Sequence, residues 1–179
     1  MVATPNDDLR NIIRNVVDFP KKGIVFRDIT TLLKDPAAFS QVTDILYCRY
    51  ADRKIDKVVA IESRGFIFGS ALAYKLNAGF IPVRKPNKLP STKIRQEYQL
   101  EYGVDALEIH TDAISPGDRV LVVDDLLATG GTSLATCSLV QKLGGTVLGL
   151  AFLIELTFLQ GRKKLIGFDT FSIISYDEE

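Results

Sequence analysis

The sequence predicts an α/β fold, with a mostly parallel, twisted sheet flanked by helices on both faces. Short apolar runs such as Val120–Val123 have the length of strands that are buried on both faces. These runs alternate with segments whose apolar residues recur at helical spacing, which is the pattern of parallel strands joined by helices. Ligands bind such sheets at the carboxyl ends of the strands, so polar residues that follow a strand are the candidate site residues.

The composition is that of one globular domain. At 179 residues, 46% of them apolar and 25% charged, the chain is long enough for one full core and short for two. Basic and acidic residues both number 22, so nucleic acid is not favoured as a partner. One histidine excludes a multi-histidine metal site, and the two cysteines, Cys48 and Cys137, lack metal-ligand spacing and favour a reducing cytosol. No secretion leader is expected, and the apolar run Val147–Leu156 falls short of the about 20 residues of a membrane helix.

The N-terminal segment is predicted to be a helix followed by a turn-rich loop. Asn6 and Asp7 are suitable N-caps, and Pro20 ends the pattern. The apolar positions at helical spacing are Leu9, Ile12, Ile13, Val16 and Val17. The loop 19–30 carries an apolar stretch, Ile24–Phe26, beside charged residues. It is either a lid over a flat ligand or a loop packed on the core, and the residues alone do not distinguish the two.

Two helices and two strands follow. Asp35 and Pro36 are an N-cap and a first helical residue, and the helix has a buried stripe. That stripe comprises Phe39, Val42, Ile45 and Leu46. A strand at 57–61 leads into a second helix, which ends at 77–79. In the next strand, 80–83, Pro82 favours an edge or irregular position because proline cannot donate to a central ladder.

The segment from Arg84 to about Asp105 changes character. It is rich in basic residues and prolines, and few of its residues look buried. It is predicted to be a mobile arm that acts as a lid, since long loops inside compact domains are unusual otherwise. The alternative is a solvated surface loop. The alternating run Ala106–His110 predicts a strand that returns from the arm.

The segment Val120–Thr132 combines a strand, two acids, a glycine turn and a helix start. Backbone N–H groups of the turn and the first turn of the helix can converge on one phosphate. The predicted phosphate-binding residues are Ala128, Thr129, Gly130, Gly131 and Thr132. Asp124 and Asp125 cannot face that phosphate, so they suit sugar hydroxyls or a divalent cation. Neither the ATP-binding P-loop motif nor the dinucleotide fingerprint is present.

The remainder is predicted to be helix, strand, short helix and strand. The first of these helices ends at Gly144-Gly145, and its inward residues are predicted to be Leu134, Cys137, Val140 and Leu143. A buried strand covers 146–154, a short helix about 158–164, and a last strand 168–174.

The segment Val120–Thr132 resembles the phosphoribosyl-pyrophosphate signature of the type I phosphoribosyltransferases. The resemblance implies the fold of that family in a single domain, 1–179. It also implies an N-terminal hood, 1–34, over the site of the acceptor base. The core, 35–179, would carry a flexible catalytic arm at about 85–105.

Outside the signature, the resemblance covers nearly the whole chain and narrows to the adenine-specific members of the family. The matching segments are Phe19-Pro20, Val25–Ile29, Glu62–Phe66, Arg84–Pro90, Leu100–Gly103 and Glu155–Thr157. The implied reaction is magnesium-dependent: adenine and phosphoribosyl pyrophosphate give AMP and pyrophosphate, in purine salvage. A cytoplasmic homodimer is implied as well, with neither nucleic acid nor membrane as a partner.

Cations are needed to receive the pyrophosphate leaving group. Arg64 follows a buried strand, and its planar guanidinium suits paired phosphate oxygens. The resemblance adds Arg84, Lys88 and Ser63, with an unusual peptide geometry at Ser63–Arg64. Magnesium is expected to bind mainly through substrate oxygens and water, so no protein metal ligand is assigned.

The remaining roles are implied by the resemblance. Glu101 on the arm would exchange the proton of the base, and Tyr102 would close over the pyrophosphate. The implied adenine contacts are the backbones of Val25 and Arg27 and the side chains of Phe26 and Leu156.

Two alternatives concern the function. The signature alone permits transfer to hypoxanthine, guanine, xanthine or orotate, which the matches at Val25–Arg27 and Glu155–Thr157 disfavour. A non-catalytic sensor of phosphoribosyl pyrophosphate would need an added DNA-binding helix pair and a basic face, and the neutral chain shows neither. His110 is interpreted as a histidine satisfied by a strand neighbour and is assigned no role.

Overall fold

A computed structural model describes residues 5–99 and 103–178 of the chain. The strands are β1 Arg14–Val17, β2 Val25–Asp28, β3 Lys57–Ile61, β4 Gly79–Val83, β5 Lys93–Gln99, β6 Val104–His110, β7 Arg119–Leu127, β8 Thr146–Leu156 and β9 Thr170–Tyr176. The α-helices are α1 Pro5–Ile12, α2 Thr30–Leu33, α3 Pro36–Tyr50, α4 Gly65–Leu76 and α5 Gly131–Lys142. In these two ranges, no helix has both the length and the apolar character required to cross a bilayer.

A five-stranded parallel sheet in the order β4-β3-β7-β8-β9 forms the centre of the fold. The residues of β7 alternate between two apolar clusters, because successive side chains of a strand point to opposite faces. Leu121 and Val123 pack with α3 and α4 on one face, and Val120 and Val122 pack with α5 on the other. All four side chains are 0% exposed. The predicted fold, a parallel sheet covered on both faces, is confirmed.

Local signals placed several boundaries correctly. The Asp35 carboxylate accepts hydrogen bonds from the N–H groups of Ala37 and Ala38 at 2.9 and 3.1 Å, as an N-cap does. Asn77 ends α4 in the left-handed conformation, at a φ of 53°. Pro82 lies in β4, which is an edge strand of the sheet as predicted.

The N-terminal helix is shorter than predicted. α1 ends at Ile12, and the two valines assigned to it, Val16 and Val17, lie in β1. β1 pairs antiparallel with β2, and β2 lies inside the segment 19–30 that was predicted to be a loop. Valine is β-branched and fits a strand well once a partner strand is available. The predicted caps Asn6 and Asp7 lie within α1, which begins at Pro5.

The base of the predicted arm is an ordered hairpin. β5 and β6 pair antiparallel from Lys93 opposite His110 to Gln99 opposite Val104, which confirms the predicted returning strand. Leu89 is buried, and Leu107 and Ile109 of β6 belong to the cluster on the α5 face. Among the described residues of 84–105 only Leu89 is buried, so the expectation that few residues of this segment are buried is confirmed. Residues 100–102 lie outside the described ranges, so a flexible arm stays a prediction.

The C-terminal elements differ from the prediction in detail. On α5, Cys137 and Val140 point inward as predicted, whereas Leu134 is 38% exposed. Ala135 and Leu139 are buried instead, so the inward face is rotated from the predicted stripe. The short helix is two 3-10 turns, Thr157–Leu159 and Gly161–Leu165.

Candidate active site

The carboxyl ends of β3, β7 and β8 meet at one edge of the sheet, and the predicted site residues follow them. Ser63 and Arg64 lie between β3 and α4, one residue beyond the end of the strand. β7 is longer than predicted: it runs through Asp124 and Asp125 and ends at Leu127. The hairpin of β1 and β2 contributes residues to the same region.

The predicted phosphate loop, residues 128–132, connects the end of β7 to the first residues of α5. Gly130 is the N-cap of α5 at a φ of +75°, a left-handed conformation that glycine adopts without steric cost. No side chain caps this helix, so its first N–H groups keep their capacity to bind an anion. A Cβ at Gly131 would lie 3.3 Å from the Tyr98 ring, so β5 covers one side of the corner.

Two buried carboxylates precede the phosphate loop. Asp124 is 8% and Asp125 5% exposed. Burial, reinforced by the neighbouring charge of Asp125, raises the pKa of Asp124 well above its ordinary value. Burial also raises the pKa of Asp125, although the charge of Arg64 opposes this. Asp124 already accepts from the N–H of Asp125 at 2.9 Å and Asp125 is paired with Arg64, and further carboxylate lone pairs can accept from the hydroxyl groups of a sugar.

Arg64 joins the acids to an apolar cavity. Its Nε lies 2.8 Å from Oδ2 of Asp125, and its guanidinium carbon lies 5.2 Å from the centre of the Phe26 ring. The unusual peptide bond of this turn is the cis bond Glu62–Ser63, one residue before the predicted Ser63–Arg64 bond. Neither bond precedes a proline, so no residue type in the sequence distinguishes them.

The cavity has a volume of about 120 Å³ and lies beside Arg64 and Asp125. It contains all four residues predicted to hold the base, namely Val25, Phe26, Arg27 and Leu156. Sequence reasoning named Ile24 only as part of a possible lid, and it missed the other apolar lining residues, Leu126 and Ile154. Their only signal is an apolar side chain near a strand end, which ordinary core residues share.

The free backbone edge of β2 is identified by its hydrogen bonding. The C=O of Ile24 accepts from the N–H of Phe19 at 3.2 Å, on the side of β1. In an antiparallel pair the backbone groups of alternate residues face the partner strand, so those of Phe26 face β1 as well. The N–H and C=O groups of Val25 and Arg27 therefore point to the opposite edge.

Arg84 and Lys88 converge on a carboxylate that sequence reasoning did not assign. Glu62 accepts from Nε of Arg84 and from the N–H of Lys85 at 2.9 Å each, and it forms an ion pair with Lys88. Burial alone would raise the pKa of Glu62, but these hydrogen bonds outweigh it and lower the pKa to about 2. Glu62 therefore holds both cations at the end of β3, beside Ser63.

Comparison with known proteins identifies the family. A family model described as a phosphoribosyl transferase domain matches residues 28–174. The chain belongs to the phosphoribosyltransferase family. An adenine phosphoribosyltransferase of Solibacter usitatus is 61% identical, over 96% of this chain and 99% of the relative.

Solved structures agree with this assignment. The adenine phosphoribosyltransferase of Thermoanaerobacter pseudethanolicus has a TM-score of 0.93 and 54% identity, covering 96% of this chain and 99% of its own. The Saccharomyces cerevisiae enzyme, complexed with adenine and D-2,5-dideoxy-2,5-imino-altritol 1,6-bisphosphate, has a TM-score of 0.88 and 38% identity. Here the coverage is 94% of this chain and 97% of the yeast chain.

Two glycines support the phosphoribosyltransferase site and were missed by sequence reasoning. A Cβ at Gly65 would lie 2.8 Å from Oδ1 of Asp124, so α4 approaches that acid closely. A Cβ at Gly161 would overlap the phosphate loop itself. Both requirements come from distant parts of the chain and have no local signal. The predicted catalytic residues Glu101 and Tyr102 lie outside the described ranges.

The donor set suits a divalent metal held largely by substrate. Within the described ranges, no group of three or more His, Cys, Asp or Glu side chains lies close enough to hold a metal ion. Asp124 and Asp125 offer hard oxygen atoms, but Asp125 is already paired with Arg64. One or two carboxylates together with ligand oxygens and water form the usual magnesium environment in phosphate-handling enzymes.

Substitution of Asp124 by asparagine is expected to stabilise the unliganded phosphoribosyltransferase and to impair catalysis. Because the folded-state pKa of Asp124 is raised, its stability cost appears as the pH rises from the ordinary value of 3.8 through the folded pKa. The gain in unfolding free energy should be about 1 kcal/mol at pH 8 and should vanish below the ordinary pKa. Denaturant unfolding of both proteins at pH 8 and at a pH below 3.8 measures this gain.

Asp56→Asn is the matched control for that experiment. The pKa of Asp56 is lowered by hydrogen bonds from Arg119, one of them at 2.8 Å, so this substitution should cost stability at pH 8. If Asp124→Asn also lost stability at pH 8, burial of the charged Asp124 would not cost the fold stability, which would contradict the raised pKa.

Proposed function

We propose that the chain transfers the 5-phosphoribosyl group of phosphoribosyl pyrophosphate to adenine, giving AMP and pyrophosphate in purine salvage. The observation that carries this proposal is the order of three sites along one sheet edge: the apolar cavity, the acid pair and the phosphate loop. The names of the relatives at high identity support it. A planar base, a pentose and a 5′-phosphate occupy these three sites in the same order.

The pentose would lie over Asp124 and Asp125. Departure of pyrophosphate leaves an oxocarbenium-like ring, by analogy with glycoside cleavage, and nearby carboxylates stabilise that positive charge. The 5′-phosphate would be bound by backbone N–H groups from Thr129 to Thr132 and by the hydroxyls of these two threonines. With the phosphate fixed at one end and the base at the other, the reacting carbon is held between them.

The base would bind the free edge of β2. The amino group of adenine would donate to the Val25 C=O, and its neighbouring ring nitrogen would accept from the Arg27 N–H, two residues along the extended strand. Phe26 and Leu156 contact the faces of the ring. The contact between the Arg64 guanidinium and Phe26 links this base site to Asp125.

The leaving group would be received by Ser63, Arg64, Arg84 and Lys88, with Tyr102 closing over it. Family membership implies a divalent metal, which we assign as magnesium. When bound through substrate oxygens and water, magnesium offsets the charge that builds on pyrophosphate. The residues of the chain bind and orient the polyanion, and Glu62 keeps Arg84 and Lys88 together until it arrives.

Glu101 is the proposed proton acceptor for the base. The ring nitrogen that attacks becomes nucleophilic only as another nitrogen of adenine loses its proton, so Glu101→Gln should lower kcat about 100-fold. The affinity for phosphoribosyl pyrophosphate, measured by calorimetry, should stay within twofold. Unchanged turnover in this variant would remove Glu101 from the mechanism.

The proposal extends to the assembly and its compartment. We propose a cytoplasmic homodimer, in which residues 1–34 form a hood over the base and about 85–105 form a mobile catalytic arm. The pairing of β1 with β2, whose residues line the base cavity, supports the assignment of the hood. The ordered hairpin of β5 and β6 would form the base of the arm, and the mobility of the arm rests on the resemblance alone.

Formation of AMP tests the function directly. The purified chain, supplied with adenine, phosphoribosyl pyrophosphate and magnesium, should release AMP and pyrophosphate in equal amounts, and EDTA should abolish this. Binding of phosphoribosyl pyrophosphate without any AMP would instead favour the non-catalytic sensor.

A further inference from the structure

Gly161 lies directly behind the phosphate loop, on the segment that follows the neighbouring strand β8. A Cβ built at Gly161 would overlap the carbonyl oxygen of Ala128 and lie 2.9 Å from the backbone nitrogen of Gly130. In the reverse direction, a Cβ at Gly130 would lie 2.5 Å from the carbonyl oxygen of Gly161. The two backbones therefore touch without any side chain between them.

The requirement for glycine at Gly161 is purely steric. Its φ lies outside the left-handed region, so an alanine there meets no backbone strain. The collision is with backbone atoms of the loop, which cannot rotate away as a flexible side chain could. A methyl group at this position must displace either residues 128–130 or the 3-10 turn that begins at Gly161.

The 3-10 turn is fixed by the next residue, Arg162. Its Nε lies 2.9 Å from Oε1 of Glu155 and a second guanidinium nitrogen pairs with the other carboxylate oxygen, which is a bidentate arrangement. The same guanidinium donates to the C=O of Thr170 at 2.6 Å, and Ser172 donates to Glu155 at 2.8 Å. Hydrogen bonds from Arg162 lower the pKa of Glu155, so the pair of Arg162 and Glu155 is fully charged at neutral pH.

The pair of Arg162 and Glu155 lies level with the start of the phosphate loop. Glu155 of β8 is paired with Leu127, the last residue of β7, and the loop begins at the next position. The ion pair of Arg162 and Glu155 therefore holds the 3-10 turn in place, and with it Gly161. The position of Gly161 in turn limits how far Ala128 and Gly130 can move.

We infer that Gly161, held by the pair of Arg162 and Glu155, is a positioning residue for the phosphate loop and determines the affinity for the phosphoribosyl ligand. This inference rests on the proposed function only for the identity of that ligand. None of these residues needs to contact the ligand, because each acts through the backbone of residues 128–130.

Three variants test the inference. Gly161→Ala should raise KM for phosphoribosyl pyrophosphate at least tenfold and leave KM for adenine within twofold. Arg162→Lys keeps the charge but loses the bidentate geometry, so it should raise the same KM about threefold to tenfold. Gly145→Ala is the matched control: its Cβ would lie 2.9 Å from Ile114 and 3.0 Å from Val140, at the other end of the sheet. It should lower Tm and leave both KM values unchanged.

Each result decides the inference. A folded Gly161→Ala protein with unchanged KM for phosphoribosyl pyrophosphate would overturn it, as would an equal rise in Gly145→Ala. If Gly161→Ala does not fold, an unchanged KM in folded Arg162→Lys overturns it. If the unmodified protein makes no AMP, the proposed function fails, and calorimetric affinities for ribose 5-phosphate in the same variants still test the positioning role.

Discussion

Hypoxanthine is expected to be a poor substrate, with kcat/KM at least about 1000-fold below that of adenine. At the free edge of β2, the C=O of Val25 would accept a hydrogen bond from the amino group of adenine, beside the N–H of Arg27. Hypoxanthine carries a carbonyl oxygen there, so two acceptors would face each other and the Val25 C=O would remain buried and unpaired. A site built around such a hydrogen bond rejects the wrong partner by large factors, because repulsion adds to the lost bond.

Steady-state assays with adenine, hypoxanthine and guanine measure this discrimination. Phe26→Leu is a useful control, because it weakens the contact with the ring face and should raise KM for every base without changing their order. Comparable turnover of hypoxanthine and adenine would show that the β2 edge does not select the base, and the acceptor would then be reassigned within the family.

Gly130→Ala should lower kcat/KM for phosphoribosyl pyrophosphate by about 100-fold. The new methyl group would lie 2.5 Å from the Gly161 carbonyl oxygen, so the loop must move and lose at least one charge-assisted hydrogen bond to phosphate, about 1.5–3 kcal/mol. The upper end of this range corresponds to that factor. An L-residue at a φ of +75° costs about 1–2 kcal/mol more, which lowers the stability of the fold and not the affinity.

Gly117→Ala separates the two costs. Gly117 has a φ of +89°, and a Cβ there would meet nothing within 4 Å. This variant should therefore lose stability through its backbone conformation and keep its kinetics. If Gly130→Ala behaves like Gly117→Ala, with lower stability and unchanged affinity for phosphoribosyl pyrophosphate, the loop is not the phosphate site.

Local chemistry explains which parts of the fold were predictable. The N-cap at Asp35, the left-handed end of α4 at Asn77 and the edge position of Pro82 each depend on one residue and its neighbours. Val16 and Val17 were misassigned because their spacing also fits a helix. Pairing of β1 with β2 stabilises this segment more than another helical turn would. Leu134 was misassigned because the direction of the inward face of α5 is set by the sheet beneath it.

The candidate site divides in the same way. The acids and the phosphate loop are contiguous in sequence, so their chemistry is visible in a single segment. Glu62, Gly65 and Gly161 act on that segment from other parts of the chain. Their roles depend on distances to Arg84, Asp124 and Ala128, which no spacing in the sequence encodes.

A crystal structure of the protein with AMP tests the central claim most directly. The phosphate of AMP should lie within hydrogen-bond distance of the backbone N–H groups of Thr129–Thr132, with the ribose hydroxyls on Asp124 and Asp125 and the base between Phe26 and Leu156. AMP bound with its phosphate elsewhere, for example at the cavity lined by Arg10, Arg27 and Tyr176, would contradict the account.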